Sequence, residues 1–245
     1  MRVKFLIFCF VIIAQSIVAQ DFYFSQQDYF YIPKNKKHQP YTRLALSAGY
    51  AYRIGDIGGN DLDAEKFAEK FRQGFHLDSE LQYLFHKNWG IGLIVNHVRQ
   101  SASAEDIYIP LVRRKLNYYK ESHALTFLGP EVLLYEETKR WLWMFSVGTG
   151  PIFVHVKMKI NDTEQIGTSV NWGINYGAGV QYKFSYDFAA GIKLSMTGGV
   201  TESLRFKEQT IDFDNPISLG NFMFSAYCSF RLNSGDSSVR RSVRK

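Results

Sequence analysis

The stretch Trp172-Gly-Ile-Asn-Tyr-Gly-Ala-Gly-Val-Gln-Tyr-Lys-Phe184 decides the fold. Read two residues at a time, it separates into two faces. One carries Trp172, Ile174, Tyr176, Ala178, Val180, Tyr182 and Phe184. The other carries Gly173, Asn175, Gly177, Gly179, Gln181 and Lys183. A repeat of two is the side-chain period of a β-strand, and a helix of 3.6 residues per turn would mix these sets.

The same alternation recurs along the chain. It is clear in Leu44 to Tyr52, Phe75 to Phe85, Trp89 to Val95, Trp141 to Val147, Phe188 to Met196 and Phe222 to Leu232. Ser122 to Glu136 alternates more weakly, and its Gly129-Pro130 marks a bulge or a lipid-facing position. With 172–184 this makes eight strands, each near the roughly 9–11 residues that a tilted membrane strand needs. Short connections fall at His86-Lys87-Asn88, Glu137-Thr138-Lys139 and Ser185-Tyr186-Asp187. Long ones fall near 55–71, 101–121, 159–168 and 200–218, the first carrying a short helix from Ala64 to Phe71. Alternating short turns and long loops are the pattern of bacterial outer-membrane barrels, with turns periplasmic and loops outside.

Alternation alone does not say which face meets lipid. A soluble lipocalin-like barrel would turn its apolar faces inward and its charged faces to water. Here the polar faces are rich in Gly, Ala, Ser and Asn, which suits a crowded small-barrel interior better than a hydrated surface. The apolar faces carry too many rings to fit inside eight strands. Trp89, Trp141, Trp143, Tyr182, Phe184, Phe188 and Phe230 lie beside the short turns, Tyr52 and Trp172 toward the loops, as an interfacial aromatic girdle requires. The expected fold is all-β: an eight-stranded antiparallel transmembrane up-and-down β-barrel over residues 41–232.

Composition agrees. Aromatic residues make up 16% of the 245 residues, but hydrophobic residues only 46%, and mean hydropathy is −0.19. A bundle of apolar helices would be far more hydrophobic. The N-terminus has Arg2 and Lys4 before an apolar run from Phe5 to Ile13 and ends Ile17-Val18-Ala19, the order of a secretory signal peptide over residues 1–19. Residues 20–40 are expected to be a periplasmic N-terminal segment and 233–245 a basic periplasmic tail. Without the signal, Cys228 is the single cysteine, so no internal disulfide staples the domain. The net charge of +6 falls to +4 when Arg2 and Lys4 are removed, and much of the excess lies in 34–37 and 240–245. Such runs read as solvated flanks. Nucleic acid is not an expected partner of an exported chain. Outer-membrane lipid is, and so are other envelope proteins, with the barrel itself a monomer.

The eight amphipathic strands, Leu128-Gly129-Pro130-Glu131, Ser146-Val147-Gly148-Thr149-Gly150-Pro151 and Asn175-Tyr176-Gly177-Ala178-Gly179-Val180 resemble the outer-membrane β-barrel proteins (porin-like, OmpX/OmpA-like) common in Bacteroidota. The resemblance covers roughly 41–232 and implies a location in the bacterial outer membrane and an architecture. It implies no single activity. Members commonly end in an aromatic residue. Here Phe230 or Leu232 ends the last strand and a polar tail follows.

The candidate site is the set of charges expected to face the lumen: Asp78, Glu80 and Glu131 against Arg43, Lys183, Lys193 and Arg231. Buried charges are tolerated when paired, so the expectation is an ion-pair network that fills the barrel. His76, Asp78 and Glu80 share one strand face and could form a metal cluster, or His76 and Asp78 a catalytic pair, but no serine motif completes either. Asp56, Asn60, Asp61 and Asp63 are oxygen-rich without the spacing of a calcium loop. The reading is no enzyme, no cofactor and no metal. Its first function is a structural or interaction protein whose loops carry specificity. A narrow pore or small-solute transporter is the alternative, and a lipid-modifying barrel enzyme ranks third.

Overall fold

The computed structural model describes residues 40–55, 62–109, 114–161, 163–207 and 209–232. The chain divides into two compact units, and the described residues belong to the second, His38–Lys245. The expected signal peptide, most of segment 20–40, the basic tail and the acidic-loop residues Asp56, Asn60 and Asp61 lie outside the described residues.

The elements in chain order are β1 Tyr41–Arg53, α1 Leu62–Arg72, β2 Gln73–Leu84, β3 Trp89–Ile109, β4 Arg114–Glu137, β5 Trp141–Ile160, β6 Thr163–Lys183, β7 Phe188–Arg205, β8 Thr210–Ser218 and β9 Asn221–Arg231. Sequential strands from β1 to β7 pair antiparallel. β9 then pairs β7 on one side and β1 on the other, which closes the ring. The barrel is therefore eight-stranded, as its alternation predicts. β8 stands apart from it, pairing only with the last residues of β7.

Most of the expected long loops are strand. β3 and β4 stay paired out to Ile109 and Arg114, and β5 and β6 out to Ile160 and Thr163. A hairpin prolonged beyond the wall keeps satisfying its backbone hydrogen bonds, which a loop there would have to give to water. Asn161 turns the β5–β6 hairpin with φ 49°, a left-handed conformation that Asn tolerates. Its amide N–H donates to Tyr118 O at 3.0 Å, and its side-chain Oδ1 accepts from Tyr118 N at 3.2 Å.

Orientation of the wall follows the alternation. Trp172, Leu134 and Phe145 point outward and are 68%, 60% and 57% exposed. Their neighbours Gly173, Leu133, Tyr135, Met144 and Ser146, of opposite parity, are buried. An exterior of this kind suits hydrocarbon, where it would be expelled from water. At the turn end, rings touch from strand to strand: Trp141 to Tyr182 (5.3 Å between centroids), Tyr182 to Phe184 (5.1 Å), Phe184 to Phe188 (5.8 Å) and Phe188 to Phe230 (5.1 Å). These five are turn-end members of the girdle read from the sequence.

The interior differs from expectation in one respect. Its polar, small-residue character is interrupted by apolar clusters on both sides of mid-height. On the loop side Ile94, Val98, Leu125, Phe127, Ile152, Val154, Val156 and Met223 form one buried apolar cluster. On the turn side Leu84, Leu133, Tyr135, Leu142 and Met144 form another around Tyr41 and Tyr227. The inner wall thins where these side chains cross it. A Cβ added at Gly173 would lie 2.3 Å from Ile152 Cδ1 and 2.7 Å from Gly198 O, so Ile152 occupies the space that glycine leaves.

Candidate functional site: the charged layer of the lumen

Strand parity aims the site. On β2, His76, Asp78, Glu80 and Gln82 all point inward, as do Arg43 and Ser47 on β1, Asn96 on β3, Glu131 on β4, Lys193 on β7 and Tyr227 on β9. Lys193 is the hub and is fully buried. Its ammonium lies 3.0 Å from Asp78 Oδ2 and donates to Glu80 Oε1 as well. Each carboxylate has further donors. Ser47 Oγ donates to Asp78 Oδ2 at 2.9 Å, and the Asn96 amide donates to its other oxygen. Tyr227 OH donates to Glu80 Oε2 at 3.0 Å, and the Gln82 amide donates there too. Arg43 touches no carboxylate in this layer. Its Nε donates to Gln82 Oε1 at 2.7 Å, so the Gln82 amide bridges Arg43 and Glu80.

Glycines across the wall make room for these long side chains. At Gly177 a Cβ would fall 2.6 Å from Ser146 Oγ and 3.1 Å from Lys193 Cε. The small-residue face of 172–184 is thus the counter-shape of the charged layer.

Five of the seven candidate residues meet in this layer or next to it: Arg43, Asp78, Glu80, Glu131 and Lys193. Glu131 is buried against Gly92 and Gly148. Arg43 and Lys193 thus share the layer with three carboxyl groups. The other two candidates, Lys183 and Arg231, lie elsewhere, at the turn-end rim. There Lys183 Nζ donates to Glu137 Oε1 at 2.6 Å, Arg231 lies 3.9 Å from Glu137 Oε2, and Tyr41 OH donates to Glu137 Oε2 at 3.1 Å. The Arg231 guanidinium lies between the rings of Tyr41 (3.6 Å) and Tyr186 (4.2 Å). Glu137 lies beyond Leu134, the last lipid-facing residue of β4. Burial raises its carboxyl affinity for protons, but the Lys183 hydrogen bond and the Lys183 and Arg231 charges outweigh this and hold it below the ordinary carboxylate range.

His76 Nε2 lies 3.7 Å from Asp78 Oδ2, but Asp78 and Glu80 are both engaged by the Lys193 ammonium. Among the described residues no group of three or more His, Cys, Asp or Glu side chains is arranged to hold a metal. Sequence reasoning missed Gln82, Tyr227 and Ser47 as partners, although their parity matches that of the charges. It also missed Glu137, which reads as part of a turn.

A second polar cluster caps the loop end. Arg53 Nη1 lies 2.9 Å from His123 Nδ1, and His123 Nε2 lies 2.6 Å from Glu121 Oε1. Tyr119 OH donates to the other Glu121 oxygen at 2.6 Å. Arg53 can only donate, so His123 Nδ1 accepts from it and His123 Nε2 donates to Glu121. Phe71, the buried aromatic of α1, meets the His123 ring edge-on at 4.6 Å.

No protein-family model and no curated protein sequence matches the chain. Solved structures do. A major outer membrane protein from Thermus thermophilus aligns over 78% of this chain and 99% of its own, with a TM-score of 0.52 at 9% identity. The fold is that of an outer-membrane β-barrel. Neisserial surface protein A aligns over 80% of this chain and 100% of its own, at a TM-score of 0.49 and 9% identity. Ail of Yersinia pestis, in complex with the heparin analogue sucrose octasulfate, aligns over 78% and 99%, at 0.42 and 16%.

Proposed function

We propose that this protein is a closed outer-membrane anchor whose prolonged β-hairpins carry an interaction function on the cell exterior. The observation that carries this reading is the stacking of the lumen. A Lys193–Asp78–Glu80 ionic layer sits beneath an apolar layer of Ile94, Phe127, Ile152 and Met223, all buried. Ions crossing the barrel would have to pass both. Eight strands leave an interior just wide enough for side chains, and here both layers are built of buried ones. The hairpins β3–β4 and β5–β6 continue past the wall as paired strands, which gives the loop end firm surfaces rather than bare loops. Short turns and both ends of the ring lie at the opposite end, which places the hairpins outside by the convention of such barrels.

Single-channel recording of the purified protein in planar bilayers tests the closed lumen. Silence is the expected result, and a steady conductance would overturn the anchor in favour of a pore. Cysteines placed at Glu105 and Lys87, with Cys228 replaced by Ala, test the orientation. Glu105 should label on whole cells and Lys87 only after the outer membrane is opened.

A further inference from the structure

We infer that the outer wall of β3–β5 carries a docking surface for the phosphate groups of anionic lipids in the leaflet around the loop end. The inference rests on the proposed orientation for which leaflet that is.

Strand register lays out the surface as a grid of outward-facing residues. One row is Arg99, Ala124 and His155. The next is Ser101, Ser122 and Lys157. The third is Ser103, Lys120 and Lys159. Four of these are Lys or Arg, and the residues between them are small. Long basic side chains can therefore reach sideways over an uncrowded wall, with Ser hydroxyls beside them. Lys120 and Lys159 stand directly opposite each other. Like charges so placed destabilise a sheet unless an anion lies between them. Glu164, directly opposite Lys159 on β6, is engaged instead by Lys157 at 2.7 Å.

Height identifies the partner. Below the grid the wall passes through a mixed row, His97, Thr126 and Phe153, to apolar residues: Val95 lies four residues before Arg99 on β3, opposite Leu128. Ile166, 39% exposed, lies directly opposite Lys157. At about 3.3 Å per residue, Arg99 stands roughly 13 Å along its strand from Val95, just past the apolar belt, and its long side chain can bend back toward the boundary. That is where acyl chains give way to headgroup phosphates. A soluble polyanion would more naturally be met by the hairpin tips than by a wall standing at the hydrocarbon boundary. On the neighbouring strands the residues in register with Arg99 are rings instead: Phe75, Tyr50 and Phe224.

The test uses the full mature barrel in zwitterionic micelles, titrated with fluorescent bis-phosphorylated lipid A, alongside a Lys120→Gln/Lys157→Gln/Lys159→Gln triple variant. Each basic residue near an anionic lipid surface contributes roughly fivefold in affinity, so the triple variant should bind on the order of tenfold to a hundredfold more weakly. A Lys87→Gln control at the turn end should bind as the wild type does. A mobility shift between unheated and boiled samples shows that the variants have folded. Unchanged binding by the folded triple variant would overturn the proposal, as would equal loss in Lys87→Gln. Displacement of the lipid by millimolar inorganic phosphate would overturn it too, by making the patch a general anion site. Whole-cell labelling at Glu105 and Lys87 reads the orientation separately. Weakened lipid binding together with external Lys87 would uphold the patch and reverse only the leaflet.

Discussion

The ionic layer at mid-lumen and the apolar layer above it fill the same barrel on opposite physical terms. The first is directional. Lys193 holds two carboxylates, and each carboxylate has its own donors from Ser47, Asn96, Tyr227 and Gln82. The second is a matter of shape, with Ile152 seated over Gly173 and Gly199. Directional contacts fail when one partner is removed, because the others are left charged and dry. Shape-based contacts fail by degrees, in proportion to the volume lost or forced in. The comparison teaches where the barrel is brittle: at Lys193, not at the apolar layer that forms its cap.

Lys193→Ala should have the largest effect. It leaves Asp78 and Glu80 facing each other without a cation, a loss of about 3–5 kcal/mol for a buried pair. Urea unfolding of the protein refolded into lipid vesicles measures it. Adding Glu80→Ala should recover part of the loss, because one orphaned charge goes with it. If the double variant loses the sum of the two singles, the residues are uncoupled and the layer is hydrated.

Gly173→Ala attacks the cap. The new methyl meets Ile152 Cδ1 at 2.3 Å and the Gly198 carbonyl at 2.7 Å. Overpacking of this kind typically costs about 1–3 kcal/mol. Ile152→Val alone should cost roughly 0.5–1.5 kcal/mol. In the Gly173→Ala background it should cost less, since it removes one of the two clashes. Strict additivity in vesicle unfolding would show that Ile152 does not rest on Gly173. Leu46→Val, on the lipid face, should cost less than any of these, because hydrocarbon closes over the lost methyl.

How far these layers were legible depends on what each needs to be seen. The charged layer was legible because Asp78, Glu80, Glu131 and Lys193 share the parity of the glycines, and charge of that parity in a small barrel must go inward. The cap was not. In Ile152-Phe153-Val154 and in Ile94-Val95 both faces are apolar, so alternation cannot separate the side chain that meets lipid from the one that meets the core. The signal was the loss of alternation itself, which marks a strand buried on both faces. Partner choice was also invisible. Lys183 and Arg231 have the parity of the lumen charges, but sit at the ends of their strands, and only the register brings both to Glu137. The ninth strand escaped because β8 pairs above the barrel, outside the period that closure imposes.

The rim offers the smallest and most pH-sensitive contrast. Glu137 and Lys183 are partly exposed, so Lys183→Ala should cost only about 0.2–1 kcal/mol at neutral pH. Glu137 also differs from the buried layer in how it should respond to acid. Burial pushes its carboxyl above the ordinary value of 4.5, but Lys183 and Arg231 outweigh burial and hold it below. A group whose folded pKa is depressed contributes stability above its unfolded pKa and loses it as pH falls through the folded value. The wild type should therefore exceed Glu137→Gln in unfolding midpoint at pH 7. The gap should begin to close below about pH 4.5 and vanish once the folded carboxyl has taken up its proton. Paired unfolding curves at about pH 7, 5 and 3 read this directly. A gap that stays constant across that range would mean that Glu137 acts at the rim through packing and hydrogen bonding rather than through its charge.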